Sequence, residues 1–275
     1  MRGSDAQVGV AGDTLNTAIY LKRTAPELTV DYITCLGDDP FSAQITDFIT
    51  AQNIGTGDIR NLEGKSPGLY AITTNEVGER AFTYWRNASA ARQMFQYENA
   101  YDFSLLDSYD VVYLSGITAA ILPNAVRFAL IEWLKASEAR VVYDSNYRPK
   151  LWEDAATAQS VTQAFWSIAD VALPSVDDEM ALFEETEPAV ARRFLTTAKC
   201  GALKRGDQGP LSLGETIDQT YAPAQKVVDT TAAGDSFNGG YLGALLSGQS
   251  QRAALKSGHD CASRVVQHRG AIIPE

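Results

Sequence analysis

Histidine is scarce in this chain: only His259 and His268 occur in 275 residues. That scarcity argues against a serine–histidine or histidine–metal mechanism. The three cysteines, Cys35, Cys200 and Cys261, lie far apart, and no Cys-x-x-Cys pair occurs. This excludes a metal finger and a disulfide framework and favours a reducing cytoplasm. No apolar run reaches the roughly eighteen residues of a membrane span, and no signal peptide is visible. Positive charge is in deficit, with 23 Lys and Arg against 34 Asp and Glu and a net charge of −11. An acidic chain is a poor partner for nucleic acid or an anionic membrane surface, so neither is expected. An anionic small molecule would need a local positive site. Gly-x-x-x-x-Gly-Lys-Ser/Thr is absent, and no Gly-x-Gly-x-x-Gly follows an early strand. A Walker A site and a Rossmann dehydrogenase are thereby set aside. Internal repeats, low-complexity tracts and flexible linkers are also missing.

What is present is a chain with 45% hydrophobic residues, long enough to bury one large core and carry a small appendage. Its most informative stretch runs from Val228 to Gly240. Apolar residues at Phe237, Tyr241, Leu242, Leu245 and Leu246 form a helical stripe that stops at Ser247-Gly248. Ala232, Ala233 and Gly234 stand where the first turn opens. Small side chains there leave backbone N–H groups bare at the positive end of the helix dipole, which suits a phosphate. Asp235 inside such an anion site is either a helix-start carboxylate or a base for an attacking hydroxyl.

Upstream, Val30–Leu36 reads as a strand, followed by a helix from about Pro40 to Asn53 with Phe41, Ile45, Phe48 and Ile49 on one face. The runs 69–73 and 81–85 alternate around 75–79 and read as a hairpin. A two-stranded ribbon is marginal in water and must cover something. Tyr84 and Arg86 share one face of it, and a guanidinium suits a carboxylate. The runs 111–114, 141–144 and 169–173 alternate with helical segments, one from about Asn124 to Ser137. That pattern predicts an α/β fold: a mainly parallel sheet with helices on both faces. Ligands in such sheets bind at the carboxyl ends of the strands, where Asp144, Asn146 and Arg148 fall. The last helix is expected from about Gln251 to His268, with the small residues Gly258, Ala262 and Ser263 able to admit a flat ring.

The run Asp229-Thr-Thr-Ala-Ala-Gly-Asp235 resembles the C-terminal signature of the ribokinase-like, or PfkB, sugar kinases, with Ala232 in place of the usual first Gly. Its Thr-Ala-Ala-Gly-Asp form is similar to the 2-keto-3-deoxygluconate kinases of that family. Ala11-Gly12-Asp13-Thr14-Leu15-Asn16 resembles the family's N-terminal Gly-Gly-Asp-x-x-Asn loop. Asp144-Ser-Asn-Tyr-Arg-Pro resembles its Asp-x-Asn-x-Arg stretch. Lys204-Arg-Gly206-Asp-Gln-Gly209 resembles its Lys-x-Gly-x-x-Gly nucleotide loop. The resemblance extends from Gly12 to the end and implies a single ribokinase-like three-layer domain over 1–275, with a small β lid over about 66–90. Relatives carry a further segment before the Gly12 loop, including a strand at the sheet centre, so that strand is expected to be missing.

The resemblance also implies roles. Asp235 is the expected catalytic base, and the amides of Ala232, Ala233 and Gly234 hold the phosphoryl charge. Gly12, Asp13, Asn16, Tyr70, Tyr84, Arg86, Asn146, Arg148 and Asp235 are expected to contact the sugar. Ser175, Lys204, Gly206, Gly209, Gly234, His259 and Ala262 are expected to contact the nucleotide. Family members have Asn-x-x-Glu near magnesium; here the acidic cluster Asp178 and Glu179 takes that role through water. ATP and Mg2+ are the implied cofactors, and some relatives need a monovalent cation such as K+. The implied reaction is ATP-dependent phosphorylation of 2-dehydro-3-deoxy-D-gluconate at its 6-hydroxyl, feeding the Entner–Doudoroff route. Competing readings are a fructose, ribose or ketodeoxygalactonate kinase of the same family, and an inactive sugar or nucleotide binder. An exposed lid ribbon makes a homo-oligomer through the lid an expectation as well.

Overall fold

The computed structural model describes residues 8–74, 80–98 and 100–274. The chain opens with α1 (Asp13–Thr24), β1 (Thr34–Leu36), α2 (Pro40–Ala51) and β2 (Ile59–Asn61). The hairpin β3 (Leu69–Thr74) and β4 (Arg80–Trp85) and the short ribbon β5 (Gln96–Tyr97) and β6 (Ala100–Tyr101) follow. Then come β7 (Val111–Ser115), α3 (Gly116–Ile121), α4 (Asn124–Ala136), β8 (Arg140–Asp144), α5 (Ala155–Ile168) and β9 (Val171–Leu173). The last third holds α6 (Val176–Phe183), α7 (Glu187–Thr197), β10 (Gly201–Leu203), β11 (Leu211–Leu213), α8 (Ala233–Leu246) and α9 (Gln251–Val265).

The main sheet has five strands in the order β11-β10-β9-β8-β7, parallel except where β11 runs against β10. Its strands are buried on both faces, so they read as continuous apolar runs rather than alternating ones. In β8, Tyr143 faces one layer and stacks on Phe165 of α5 at 4.8 Å, while Val142 faces the other with Phe237 and Tyr241 of α8. Helices α3, α4 and α5 cover the first face; α1, α8 and α9 cover the second. This is the expected three-layer arrangement. Among the described residues β7 is the edge strand of this sheet, and β1 pairs only with β2, in parallel. Cys35 of β1 nonetheless belongs to the same buried cluster as Val112 and Leu114 of β7.

Helix α8 is the hub. The sequence stripe predicted one apolar face, but Ser236 through Ala244 are all buried. Glycines provide the other faces. A Cβ on Gly239 would stand 2.5 Å from Tyr20 Cβ and 2.7 Å from Thr17 O of α1; on Gly240 it would stand 2.8 Å from Cys261 Cβ of α9. Backbones can approach this closely only without side chains. The lid register is Tyr70 opposite Tyr84, as alternation predicts; the predicted turn at 75–79 lies outside the described residues.

Three expectations need correction. The strand expected over Val30–Leu36 is regular only over Thr34–Leu36, with an isolated bridge from Asp31 to Gly55 before it. In α2 the packed stripe is Ile45, Phe48 and Ile49, whereas Phe41 in the opening turn is 54% exposed. Helix α9 stops at Val265 rather than reaching His268, because the chain turns there and the N–H groups of Val228 and Asp229 donate to Val266 O.

Candidate active site

The carboxyl ends of β7, β8 and β10 meet the N-terminal ends of α1 and α8, and a cleft is built there from hydrogen bonds. Asp13 opens α1 after Gly12, and its Oδ2 accepts from Ser115 Oγ and from Asn146 Nδ2, the latter at 2.8 Å. Asn146 follows β8 with a φ of 27°, a backbone region that asparagine tolerates better than most side chains. One helical turn after Gly12, Asn16 Nδ2 donates to Asp235 Oδ2 at 2.8 Å. Asn16 Oδ1 is buried with no hydrogen-bond partner among the described residues, an acceptor left for a ligand hydroxyl.

Ala232 precedes α8 with a φ of 60°. It turns the first amides of the helix toward the cleft. The expected cradle is altered in one respect: Ala233 N–H donates to Thr230 O at 3.1 Å and is committed. Among the described residues, the N–H groups of Gly234 and Asp235 donate to no backbone or side-chain oxygen, as helix starts require. Burial pushes the Asp235 carboxyl up to about 8; the charges of Asp13 and Asp144 add to the rise, while Asn16 and Lys204 oppose it. Burial also raises Asp13, against the bonds from Ser115 and Asn146. Like charges in a dry cleft cannot both ionise freely.

Gly12, Asp13, Asn16, Asn146, Gly234, Asp235 and Lys204 therefore form one continuous group. Lys204 Nζ donates to Asp144 Oδ1 at 2.6 Å and to Asn238 Oδ1 at 3.2 Å. Tyr70, Tyr84 and Arg86 form a separate patch on the lid, with the tyrosine rings 6.1 Å apart and the guanidinium 4.3 Å over the Tyr84 ring. At the rim, Asp178 accepts from Ser145 Oγ at 3.1 Å and from Arg148 Nη1 at 3.4 Å, while Ser175 N–H donates to Ser145 Oγ.

Glu179 does not join that rim. Successive helical residues point about 100° apart, and Glu179 turns inward to Trp166 Nε1 at 3.1 Å and Arg193 Nη2 at 2.9 Å. The predicted acidic pair thus reduces to Asp178. Around the expected nucleotide loop, Gly206 is open, while a Cβ on Gly209 would stand 2.7 Å from the Tyr221 ring. His259 Nε2 bonds Ala222 O at 2.7 Å, and its ring lies 5.0 Å from that of Tyr221; Ala262 packs in the cluster that holds Tyr221. Gly258 does not leave room for a flat ring: a Cβ there would stand 2.8 Å from Phe237 O. It serves contact with α8.

Ser115, Asn238 and Tyr113 were not among the expected site residues, whereas Asp144 was expected at a ligand-binding strand end but without a role. The rule that ligands sit at strand carboxyl ends, which placed Asp144, could also have found Ser115; nothing in the sequence marks Tyr113 or Asn238. Among the described residues, no group of three His, Cys, Asp or Glu side chains is placed to hold a metal ion, and no helix is long and apolar enough to cross a membrane.

The model of the pfkB family carbohydrate kinases matches residues 1–275. The chain is 42% identical over 286 residues to the 2-dehydro-3-deoxygluconokinase of Escherichia coli strain K12, spanning 99% of this chain and 93% of that one. It is 41% identical to the 2-dehydro-3-deoxygluconokinase of Dickeya dadantii, over 99% and 92% of the two chains. Among solved structures, a PfkB protein from Polaromonas sp. JS666 aligns with a TM-score of 0.79 at 26% identity, over 94% of this chain and 86% of that one. A sugar kinase from Pyrococcus horikoshii, solved in complex with ATP, shares the fold with a TM-score of 0.76 at 19% identity, over 95% and 84%. A cleft that pairs a buried carboxylate with bare helix-start amides, on a fold and sequence matched from end to end, identifies this chain as a kinase of the pfkB carbohydrate kinase family.

Proposed function

We propose that the protein transfers the γ-phosphoryl group of ATP to the 6-hydroxyl of 2-dehydro-3-deoxy-D-gluconate. The observation that carries this reading is Asp235: a carboxylate raised to about 8, held by Asn16 and standing at the bare Gly234 and Asp235 amides in the first turn of α8. Nothing in simple binding calls for a carboxylate inside an anion site. A raised carboxyl is a stronger base once ionised, matched to taking a proton from an alcohol. Asp235 accepts the hydroxyl proton as the oxygen attacks the γ-phosphorus and the bond to the ADP oxygen breaks. The Gly234 and Asp235 N–H groups receive the charge that spreads over the phosphoryl oxygens.

Asp13, Asn16 and Asn146 hold sugar hydroxyls, with Asn16 Oδ1 as the free acceptor. Arg86 and Arg148 take the sugar-acid carboxylate, the local positive charge that an anionic substrate needs in a chain of net charge −11. Gly206, Gly209, Ser175, His259 and Ala262 border the nucleotide. Magnesium fits the site as an ion carried by the nucleotide: the donor set is one rim carboxylate, Asp178, rather than a cage, and the ion would neutralise phosphate charge. The reading places the enzyme in sugar-acid breakdown in the cytoplasm. The apolar lid residues Leu69 and Trp85, 57% and 58% exposed, support pairing of two copies through their lids, which light scattering of a Trp85→Glu variant tests.

The activity test is ADP release with ATP and magnesium against a panel of 2-dehydro-3-deoxygluconate, its galactonate epimer, fructose and ribose. Turnover of the gluconate form, at a KM well below that of the neutral sugars, is expected. Preferred turnover of fructose or ribose would keep the fold and overturn the sugar-acid reading.

A further inference from the structure

A buried network lies under the opening turn of α8, and it holds one ammonium group in place. Lys204 leaves the end of β10, and its Nζ gives one hydrogen bond to Asp144 Oδ1 and one to Asn238 Oδ1. Asn238 Nδ2 donates to Asp144 Oδ2 at 2.9 Å and to Tyr113 Oη at 3.1 Å, and Thr17 Oγ1 of α1 lies 3.2 Å from the same Tyr113 Oη. Asp144 and Asn238 are 2% and 0% exposed. Elements α1, β7, β8 and α8 thus converge on a single cation. Its Nζ stands 3.7 Å from the point that a Cβ on Gly234 would occupy, beside an N–H without an acceptor. An ammonium has three donors, and the two bonds described leave one.

A buried ion pair is a poor device for stability, because desolvation offsets much of the attraction. Its placement is the informative feature. Among the described residues, every other charged side chain bonded into the cleft floor is a carboxylate: Asp13, Asp144 and Asp235. Unopposed, they would repel a phosphoryl group. We infer that Lys204 is a catalytic residue that binds the phosphoryl group in transfer beside the Gly234 amide, and that Asp144 is the positioning residue that aims it. The inference rests on the proposed function only in taking the anion site as the seat of the γ-phosphoryl group.

A fixed cation and a bare amide on the same side of the group act together where charge develops, which is the arrangement that electrostatic catalysis requires. Asp144 contributes through Lys204: its two oxygens are spent on the ammonium, Asn238 and Tyr113. Tyr113 and Asn238 keep its second oxygen from turning toward the anion site.

The test compares Lys204→Met, Asp144→Asn and the double variant with wild type. Three readouts are used: steady-state kinetics, thermal melting, and calorimetric binding of ADP with aluminium fluoride against a non-hydrolysable ATP analogue. The expected result for Lys204→Met is a kcat lower by about 10²–10³-fold, with the KM for the sugar nearly unchanged. Its affinity for the ADP–aluminium fluoride complex should fall by a similar factor, while the ATP analogue binds within a few-fold. Asp144→Asn should lower kcat less, since Lys204 remains. The double variant removes both charges, so its melting temperature should recover toward wild type while kcat stays low.

A purely structural pair would instead restore kcat along with stability in the double variant, and that result overturns the proposal. So does equal loss of affinity for both nucleotide complexes in Lys204→Met. If wild type turns over fructose rather than the keto acid, the substrate reading fails and the same comparison is made on fructose; with no sugar turned over, the aluminium fluoride arm still decides.

Discussion

Replacing Asp235 by Asn should make the protein more stable and far less active, and the gain in stability should grow with pH. The carboxyl is raised to about 8 in the folded chain, chiefly by burial, against about 3.9 in an unfolded one. Between these values the folded state holds a proton that the unfolded state has released. Stability therefore falls as pH rises through that window. At about 1.4 kcal/mol per unit, the unscreened difference between pH 5 and pH 8 is about 4 kcal/mol. Asp235 keeps a partly exposed edge toward the cleft and shares its field with Asp13, so screening reduces the expected effect to about 2 kcal/mol.

Asparagine carries no such penalty, and its amide oxygen can still accept from Asn16. In thermal melts, the advantage of Asp235→Asn over wild type should widen by about 4 °C from pH 5 to pH 8. The activity of wild type should show the complementary limb, with kcat/KM rising with pH toward a plateau above about 8 as the base ionises. An advantage that is flat or shrinks with pH would refute the claim that Asp235 is a buried, raised carboxyl.

Other substitutions test separate parts of the account. Arg86→Ala should raise the KM for the sugar acid by about 10–100-fold, the worth of a charge-assisted hydrogen bond, and leave kcat nearly unchanged; steady-state kinetics decide this. Gly239→Ala places a Cβ within 2.7 Å of Thr17 O and Leu21 N, backbone atoms that cannot move aside cheaply. It should cost about 2–3 kcal/mol in denaturant unfolding and lower kcat by loosening the Asn16–Asp235 bond. Asp178→Asn should raise the magnesium concentration needed for half-maximal rate, whereas Glu179→Gln should leave that concentration alone and lower the melting temperature by weakening the ties to Arg193 and Trp166. Asp229 accepts from Thr231 N–H, Thr231 Oγ1 and Gly270 N–H, so Asp229→Ala should speed hydrogen exchange at Gly270 and lower kcat through the loop before Ala232.

The sequence made the main parts of the site legible because they are local. A glycine-rich loop before a helix, and a carboxylate inside a run of small residues, have meanings that do not depend on distant neighbours. Thus Asp235 stands out from its own segment as a helix-start carboxylate or a base, while the roles of Asp13 and Asn16 came from the family resemblance, and the alternation of strands and helices predicted the three layers. What stayed hidden depended on direction or on long-range pairing. Asp178 and Glu179 are adjacent, so no composition argument could say which faces the rim; the 100° step along α6 decides it. The Lys204–Asp144 pair joins the last residue of β8 to the residue just after β10, and only the register of β8, β9 and β10 brings them together. Asn238 lies outside the apolar stripe that the sequence marks on α8. It is buried because Gly239, Gly240 and Gly243 let α1 and α9 close over α8. Gly258 was read as room for a ring because a glycine in sequence does not say what fills the space beside it; here it is Phe237.

The central claim is that Asp235 takes the proton of the sugar-acid 6-hydroxyl as the phosphoryl group transfers. The most direct measurement is phosphorus and carbon NMR of the product formed from ATP and 2-dehydro-3-deoxygluconate by wild type and by Asp235→Asn. The account predicts the 6-phosphate from wild type and formation about 10³-fold slower in the variant, with both proteins folded by their melts. Equal rates, or phosphate on another hydroxyl, would contradict it.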